Sequence, residues 1–274
     1  MKGWDIFRHS VRQVFGNLGG ALRVSAVLYL AQIGLTLTML GTVMVGDGGL
    51  GASQGPGSIS AAIAVPVVIL TIVIGLWIAV GWHRYVLLIE EPELLPKLHL
   101  DRVLGYFGKG ILIGLVMIIP VVVAAILVGL VLAAIVSATF KGQVLTVDTV
   151  IPLSLQIELS LTALIIAVPV VAIGLRLSSI LPGAALKAGQ PLFEGWAATA
   201  DEMGTFLLLA NLSVAGIFLL GLPEMLWGSP ARGFSLNNAP MIIYQVVSQW
   251  VQIMVGVSIL TTLYGHYIEK RPLV

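Results

Sequence analysis

Residues 59–92 read ISAAIAVPVVILTIVIGLWIAVGWHRYVLLIEEP. From Ile59 to Trp82 no side chain carries a charge. At about 1.5 Å of rise per residue this stretch makes a helix of about 36 Å, enough to cross about 30 Å of hydrocarbon. The first charged groups, His83 and Arg84, come where such a helix reaches a headgroup layer, and Glu90, Glu91 and Pro92 close it. The fold follows from reading this stretch as a membrane exit and not as an active-site cluster.

The rest of the composition agrees. The chain has 274 residues, 58% of them hydrophobic and only 10% charged, against about 25% charged in soluble domains. Mean hydropathy is +1.04. A soluble core of this length cannot hide that much apolar surface, so lipid must be the solvent for most of it. The net charge of +1 offers no basic patch clear of the membrane boundaries and argues against nucleic acid as a partner. Cysteine is absent, which excludes disulfides and thiolate chemistry. Met1 to Gly20 is polar and periodic and lacks the pattern of a cleaved signal, so the first membrane helix is expected to be retained.

Six apolar stretches are long enough to span, near 22–45, 59–82, 110–138, 153–177, 204–227 and 241–266. The expectation is one all-α membrane domain over 1–274: three transmembrane hairpins with amphipathic interfacial helices on the cytoplasmic side. Twelve of the fourteen lysines and arginines fall on one side of this arrangement, and only Lys141 and Arg232 on the other. The positive-inside rule then predicts cytoplasmic termini.

Short amphipathic segments precede the odd-numbered spans: Gly3 to Arg12, Leu100 to Phe107 and Phe193 to Thr199. Either they open a three-fold repeated unit, or they are the basic ends that any helical hairpin array carries. In residues 1–20, Trp4, Phe7, Val11, Val14, Phe15 and Leu18 recur at helical spacing. Arg8, His9 and Arg12 lie off that stripe, which suits a helix in the headgroup layer or one packed on the protein's own cytoplasmic face. Thr199 and Glu202 have capping-box spacing and predict a helix start before the fifth span.

The aromatic-basic opening GWDIFRHSVRQVFGNLGGALRVS (3–25) and the stretch RLSSILPGAALKAGQPLFEGWAATADE (176–202) resemble six-span bacterial inner-membrane proteins. These are uncharacterised and related to the membrane domain of glycerophosphodiester phosphodiesterases. The resemblance implies a membrane-organising or lipid-handling role. It lends no catalytic residue, because this chain has no room for a phosphodiesterase barrel.

Candidate sites follow from the polar residues. Neither His83 nor Arg84 has a carboxylate three or four positions on, so the glutamates at the helix end are expected to take a cation from another segment. Arg176 ends a long apolar run and either snorkels to the inner headgroups or, if deeper, needs an acidic or phosphate partner. In the repeat reading Arg84, Arg176 and His266 occupy similar positions and, with His83 nearby, are candidates for holding an anionic lipid headgroup. Gln245, Gln249, Gln252 and Gly256 share one face of the sixth span, so their amides look inward or toward another subunit, with Gln32 or Asn211 as candidate partners. Pro66, Pro120, Pro169 and Pro223 interrupt spans and predict bends, with spans three and four as a possible hinged hairpin. The four histidines lack ligand spacing, and no phosphate loop or nucleophile motif appears, so no metal, cofactor or catalytic residue is assigned.

The expected role is a non-enzymatic accessory, assembly or scaffold protein that contacts membrane lipids and other integral membrane subunits. The alternative, supported by the prolines and the glutamine face, is a transporter for a small or amphipathic solute.

Overall fold

The computed structural model describes residues 2–46, 61–140, 152–186, 188–227 and 239–273. The three turn-rich links that hold Lys141 and Arg232, and also Lys187, lie outside the described residues. The described chain is helical: α1 (Lys2–Phe15), α2 (Leu18–Gly46), α3 (Ala61–Leu88), α4 (Leu100–Phe140), α5 (Leu153–Ser178), α6 (Leu181–Ala185), α7 (Glu194–Ala198), α8 (Met203–Trp227) and α9 (Ala239–Leu263). A π-helical turn, Tyr264–Ile268, continues α9. Helices α2, α3, α4, α5 with α6, α8 and α9 are each long and apolar enough to cross a membrane. Their outward surface is apolar as well, with Ile119 73%, Ile165 72% and Leu130 64% exposed. Water would not tolerate such a surface, so the fold is that of a multi-pass membrane protein.

One expected feature comes out differently. The second opening segment, 100–107, is not a separate helix. It runs unbroken into α4, whose 41 residues extend about 60 Å, twice the hydrocarbon thickness. Val103, Tyr106 and Ile113 form its buried stripe. The helices also run through Pro66, Pro120, Pro169 and Pro223 without a break in their ranges, so no span is discontinuous at a proline.

Helix α9 is the most enclosed span and α4 the least, with 44% against 6% of the apolar stretch buried. Three apolar clusters meet around it: one among α2, α3 and α9, one joining α3 to α4, α5 and α6, and one joining α1, α5, α8 and α9. Lipid tails are as apolar as leucine, so packing alone gives little preference for helix over lipid, and interhelical hydrogen bonds add direction. The Tyr29 hydroxyl donates to the Val246 carbonyl at 2.7 Å, and the Trp250 indole N–H to Ser25 at 2.9 Å, which fixes α2 on α9. The Trp82 indole N–H donates to Ser258 at 2.9 Å and fixes α3. Tyr244 donates to the Leu220 carbonyl at 3.0 Å and fixes α8.

Helix α1 is amphipathic, but its buried face is not the expected aromatic stripe. Gly3, Ile6, Ser10 and Val14 are buried, while Trp4 and Phe15 are about half exposed. Small residues let α1 approach closely: a Cβ on Gly3 would sit 2.6 Å from the Thr205 carbonyl of α8. The Ser10 hydroxyl lies 3.0 Å from that of Thr262 on α9. A hydropathy stripe weights large apolar side chains and therefore misses a contact made by glycine and serine.

The end of α3 also departs from expectation. The glutamates do not wait for a cation from elsewhere, because Arg84 of the same helix pairs with Glu90, through Nε at 3.0 Å and through a second contact from Nη2. Six residues apart, the two would not meet on a continuous helix. They meet because α3 stops at Leu88 and Ile89 takes a left-handed backbone (φ 57°), which folds the chain back. A β-branched residue there is strained by roughly 1–2 kcal/mol, and its side chain is 85% exposed, so it loses little packing if removed. Ile89→Gly is therefore expected to raise stability by roughly 1 kcal/mol in detergent unfolding. A drop of that size would show that the isoleucine side chain holds the turn.

Candidate functional site

Contacts across the links gather the cations at one end of the bundle. Arg84 Nη1 donates to the Ala185 carbonyl at 3.2 Å, Lys109 to the Ala188 carbonyl at 3.4 Å and Arg271 Nη2 to the Leu87 carbonyl at 3.0 Å. Lys2 pairs with Glu202. In the first three contacts a helix C-terminus or a link supplies carbonyls with no helical partner, and a cation satisfies them. The sequence-predicted anion site lies at this end, but its residues have separate partners.

His83 is fully buried. Its Nδ1 lies 2.8 Å from Thr261 Oγ1 and its Nε2 lies 3.2 Å from the Tyr106 hydroxyl. Thr261 gives its one hydroxyl hydrogen to the Val257 carbonyl, so it accepts from His83 and Nδ1 carries the proton. Nε2 then accepts from Tyr106. Both nitrogens are engaged in joining α3, α4 and α9, which leaves neither for an anion.

Arg84 faces a cavity of about 380 Å³ that Glu90, Glu91, Glu93, Lys97 and His99 also line. Neither Arg176 nor His266 lines it. Arg176 is 3% exposed and therefore does not snorkel. Its Nε donates to Thr199 Oγ1 at 3.0 Å and its Nη2 to the Trp196 carbonyl at 3.1 Å. The guanidinium lies 3.7 Å from the Trp196 ring centroid. A π face and helix-end carbonyls thus take the place of the expected acid or phosphate. Gly195 makes this possible, since a Cβ there would come 2.8 Å from the Arg176 carbonyl.

Thr199 is consequently not the expected side-chain cap. Its hydroxyl donates to the Gly195 carbonyl at 2.7 Å and receives Arg176. A helix does start here, at Met203, and Glu202 stands at its entrance holding Lys2 and accepting from Thr205 Oγ1 at 2.7 Å. His266 has yet another setting: its Nδ1 donates to the Arg271 carbonyl at 3.1 Å, and it lines a second cavity with Lys2, Asp201, Glu202, Tyr267 and Lys270.

The glutamines of α9 present a different arrangement. Helix α2 meets α9 at Val246 and Trp250, and α8 meets it at Tyr244. At about 100° per residue these contacts flank the 245–249–252–256 stripe on either side. The stripe therefore looks outward between α2 and α8. Gln249 and Gly256 are exposed, and Gln245 and Gln252 are half-buried. The expected partners do not reach them, since Gln32 donates to the Thr71 carbonyl at 3.1 Å and Asn211 is itself exposed. Toward the cation-rich end the stripe runs into Leu263, buried in the cluster that includes Ile6 of α1, so α1 floors the opening.

Glu202, just outside the spans, carries an electrostatic lever. The hydrogen bond from Lys2, then that from Thr205, hold its carboxyl below the usual carboxylate range. A lowered folded value stabilises above the unfolded pKa of about 4.3 and is lost as pH falls through the lowered one. Amide-exchange protection of α1, corrected for intrinsic rates, is thus expected to fall as pH drops below about 4.3. Glu202→Gln should give weaker protection with no such fall, and flat wild-type protection over that range would contradict the pairing. Models of known families, curated proteins and solved structures gave no match to the chain, so its function has to come from the geometry above.

Proposed function

We propose that the chain is a non-enzymatic accessory or assembly protein of a bacterial-type inner membrane, and that its α9 glutamine face docks another membrane-embedded protein. In this reading α2–α3, α4–α5 and α8–α9 are hairpins, α1 and α7 lie in the headgroup layer, and the cation-rich end is cytoplasmic. The twelve-to-two distribution of cations supports that orientation.

The observation that carries the proposal is the exposed amide of Gln249, with those of Gln245 and Gln252 beside it. Among the described residues these three side chains make no hydrogen bond to the protein. Gln249 and Gln252 stand about 15 and 20 Å along the axis from Ala239, near the middle of about 30 Å of hydrocarbon. An amide facing lipid tails there without a partner costs roughly 2–7 kcal/mol. A partner helix bearing amides or hydroxyls removes that cost, and Gly256 on the same face lets a backbone come close. A stripe that opens sideways between α2 and α8 suits docking better than an enclosed transport path.

A photo-crosslinking amino acid at Gln249, at lipid-facing Ile119 and at core Met254 tests this in intact membranes. Position 249 is expected to give a protein adduct of discrete mass, and 119 to give lipid alone. An adduct at twice the chain's 28.9 kDa identifies a second copy, and any other mass a different subunit. Gln245→Leu with Gln252→Leu should lower its yield about tenfold. Lipid adducts alone at 249 would overturn the proposal.

A further inference from the structure

The second cavity, of about 380 Å³, lies where α1 begins, where α7 leads into α8 and where α9 ends. Its walls are Lys2, Asp201, Glu202, His266, Tyr267 and Lys270, with the small side chains of Ala197, Ala198 and Ala200 between them. The apolar runs of α8 and α9 stop at Met203 and Ile268, so the cavity sits at the level where hydrocarbon gives way to headgroups.

Its polar groups are incompletely used. Lys2 and Glu202 satisfy each other. Asp201 and Lys270 are exposed and form no ion pair among the described residues. Donation from His266 Nδ1 to the Arg271 carbonyl leaves Nε2 available. Tyr267 is 5% exposed, and its buried hydroxyl has no hydrogen-bond partner.

The backbone is also committed to this arrangement. Lys270 has a left-handed conformation (φ 58°), unusual for a residue with a Cβ. Hydrogen bonds on both sides hold it there: the Glu269 N–H to the Tyr264 carbonyl at 3.1 Å and the Arg271 N–H to the Gly265 carbonyl at 2.8 Å. Strain kept in place by its surroundings tends to mark a site where a side chain is being positioned.

We propose that this cavity binds the phosphoethanolamine headgroup of a membrane glycerophospholipid. Unused groups of both signs select a zwitterion. Lys270 and His266 Nε2 serve the phosphate, and Asp201 serves a primary ammonium, which has three hydrogens to donate. A quaternary ammonium has none and is bound more weakly. The site is independent of the α9 docking face.

The test is native mass spectrometry of the delipidated full chain with phosphatidylethanolamine, phosphatidylcholine and phosphatidylglycerol of matched acyl chains. Wild type is expected to retain phosphatidylethanolamine about tenfold more strongly than phosphatidylcholine. Asp201→Asn should remove that preference while leaving phosphatidylglycerol binding unchanged. Lys270→Gly removes a phosphate partner and relieves the strained backbone, so it should lower binding of all three lipids without lowering the unfolding temperature. Lys97→Ala, distant and exposed, should change nothing. Equal retention of the three lipids by wild type, or unaltered binding in Lys270→Gly, would overturn the proposal. Displacement by soluble glycerophosphoethanolamine at the same concentration as by lipid would overturn the assignment to a membrane lipid.

Discussion

Two adjacent side chains of α3, Trp82 and His83, hold the cation-rich half of the bundle together. Both are fully buried, and both hydrogen-bond to α9, at Ser258 and at Thr261, one turn apart. His83 also accepts from Tyr106 and so ties in α4. In a medium that gives helices little apolar reason to associate, such bonds fix rotation and depth as well as contact. With α3 and α9 locked in register, the reversal at Ile89 brings Arg84 onto Glu90, and Arg271 reaches the Leu87 carbonyl at 3.0 Å. Both cavities at the cation-rich end depend on those reversals.

The spans were legible because bilayer thickness imposes a length that hydropathy reports directly. The helix before the fifth span starts within a few residues of where it was expected, at Met203, but Thr199 does not cap it: its hydroxyl bonds to the Gly195 carbonyl and receives Arg176. The chemistry at helix ends was not legible. The Arg84–Glu90 pair depends on a left-handed isoleucine that no local propensity announces. Burial of His83 and Arg176 depends on partners many residues away, Thr261 for one and Trp196 with Thr199 for the other. Gly3 and Ser10 make a helix contact because they are small, a signal that hydropathy periodicity discounts. Sequence spacing placed Gln245, Gln249 and Gln252 on one face, but the outward direction of that face came only from where α2 and α8 meet α9.

Helix α9 thus has two polar faces with different fates. On the inward face Ser258, Thr261 and Thr262 are buried and bonded to α3 and α1. On the outward face the glutamine amides make no hydrogen bond among the described residues and lie beside an exposed glycine. A stable membrane protein resolves such a face by association, which is why an accessory or assembly role fits this chain.

The most direct measurement uses the absence of cysteine: single spin labels at 249, 119 and 254, compared for collisions with oxygen in nanodiscs excised from native membranes. The account predicts that position 249 is shielded from oxygen like core position 254, and becomes as accessible as 119 once the protein is purified to a monomer. Oxygen accessibility at 249 equal to that at 119 in the native nanodiscs would mean the glutamine face meets lipid alone, and would contradict it.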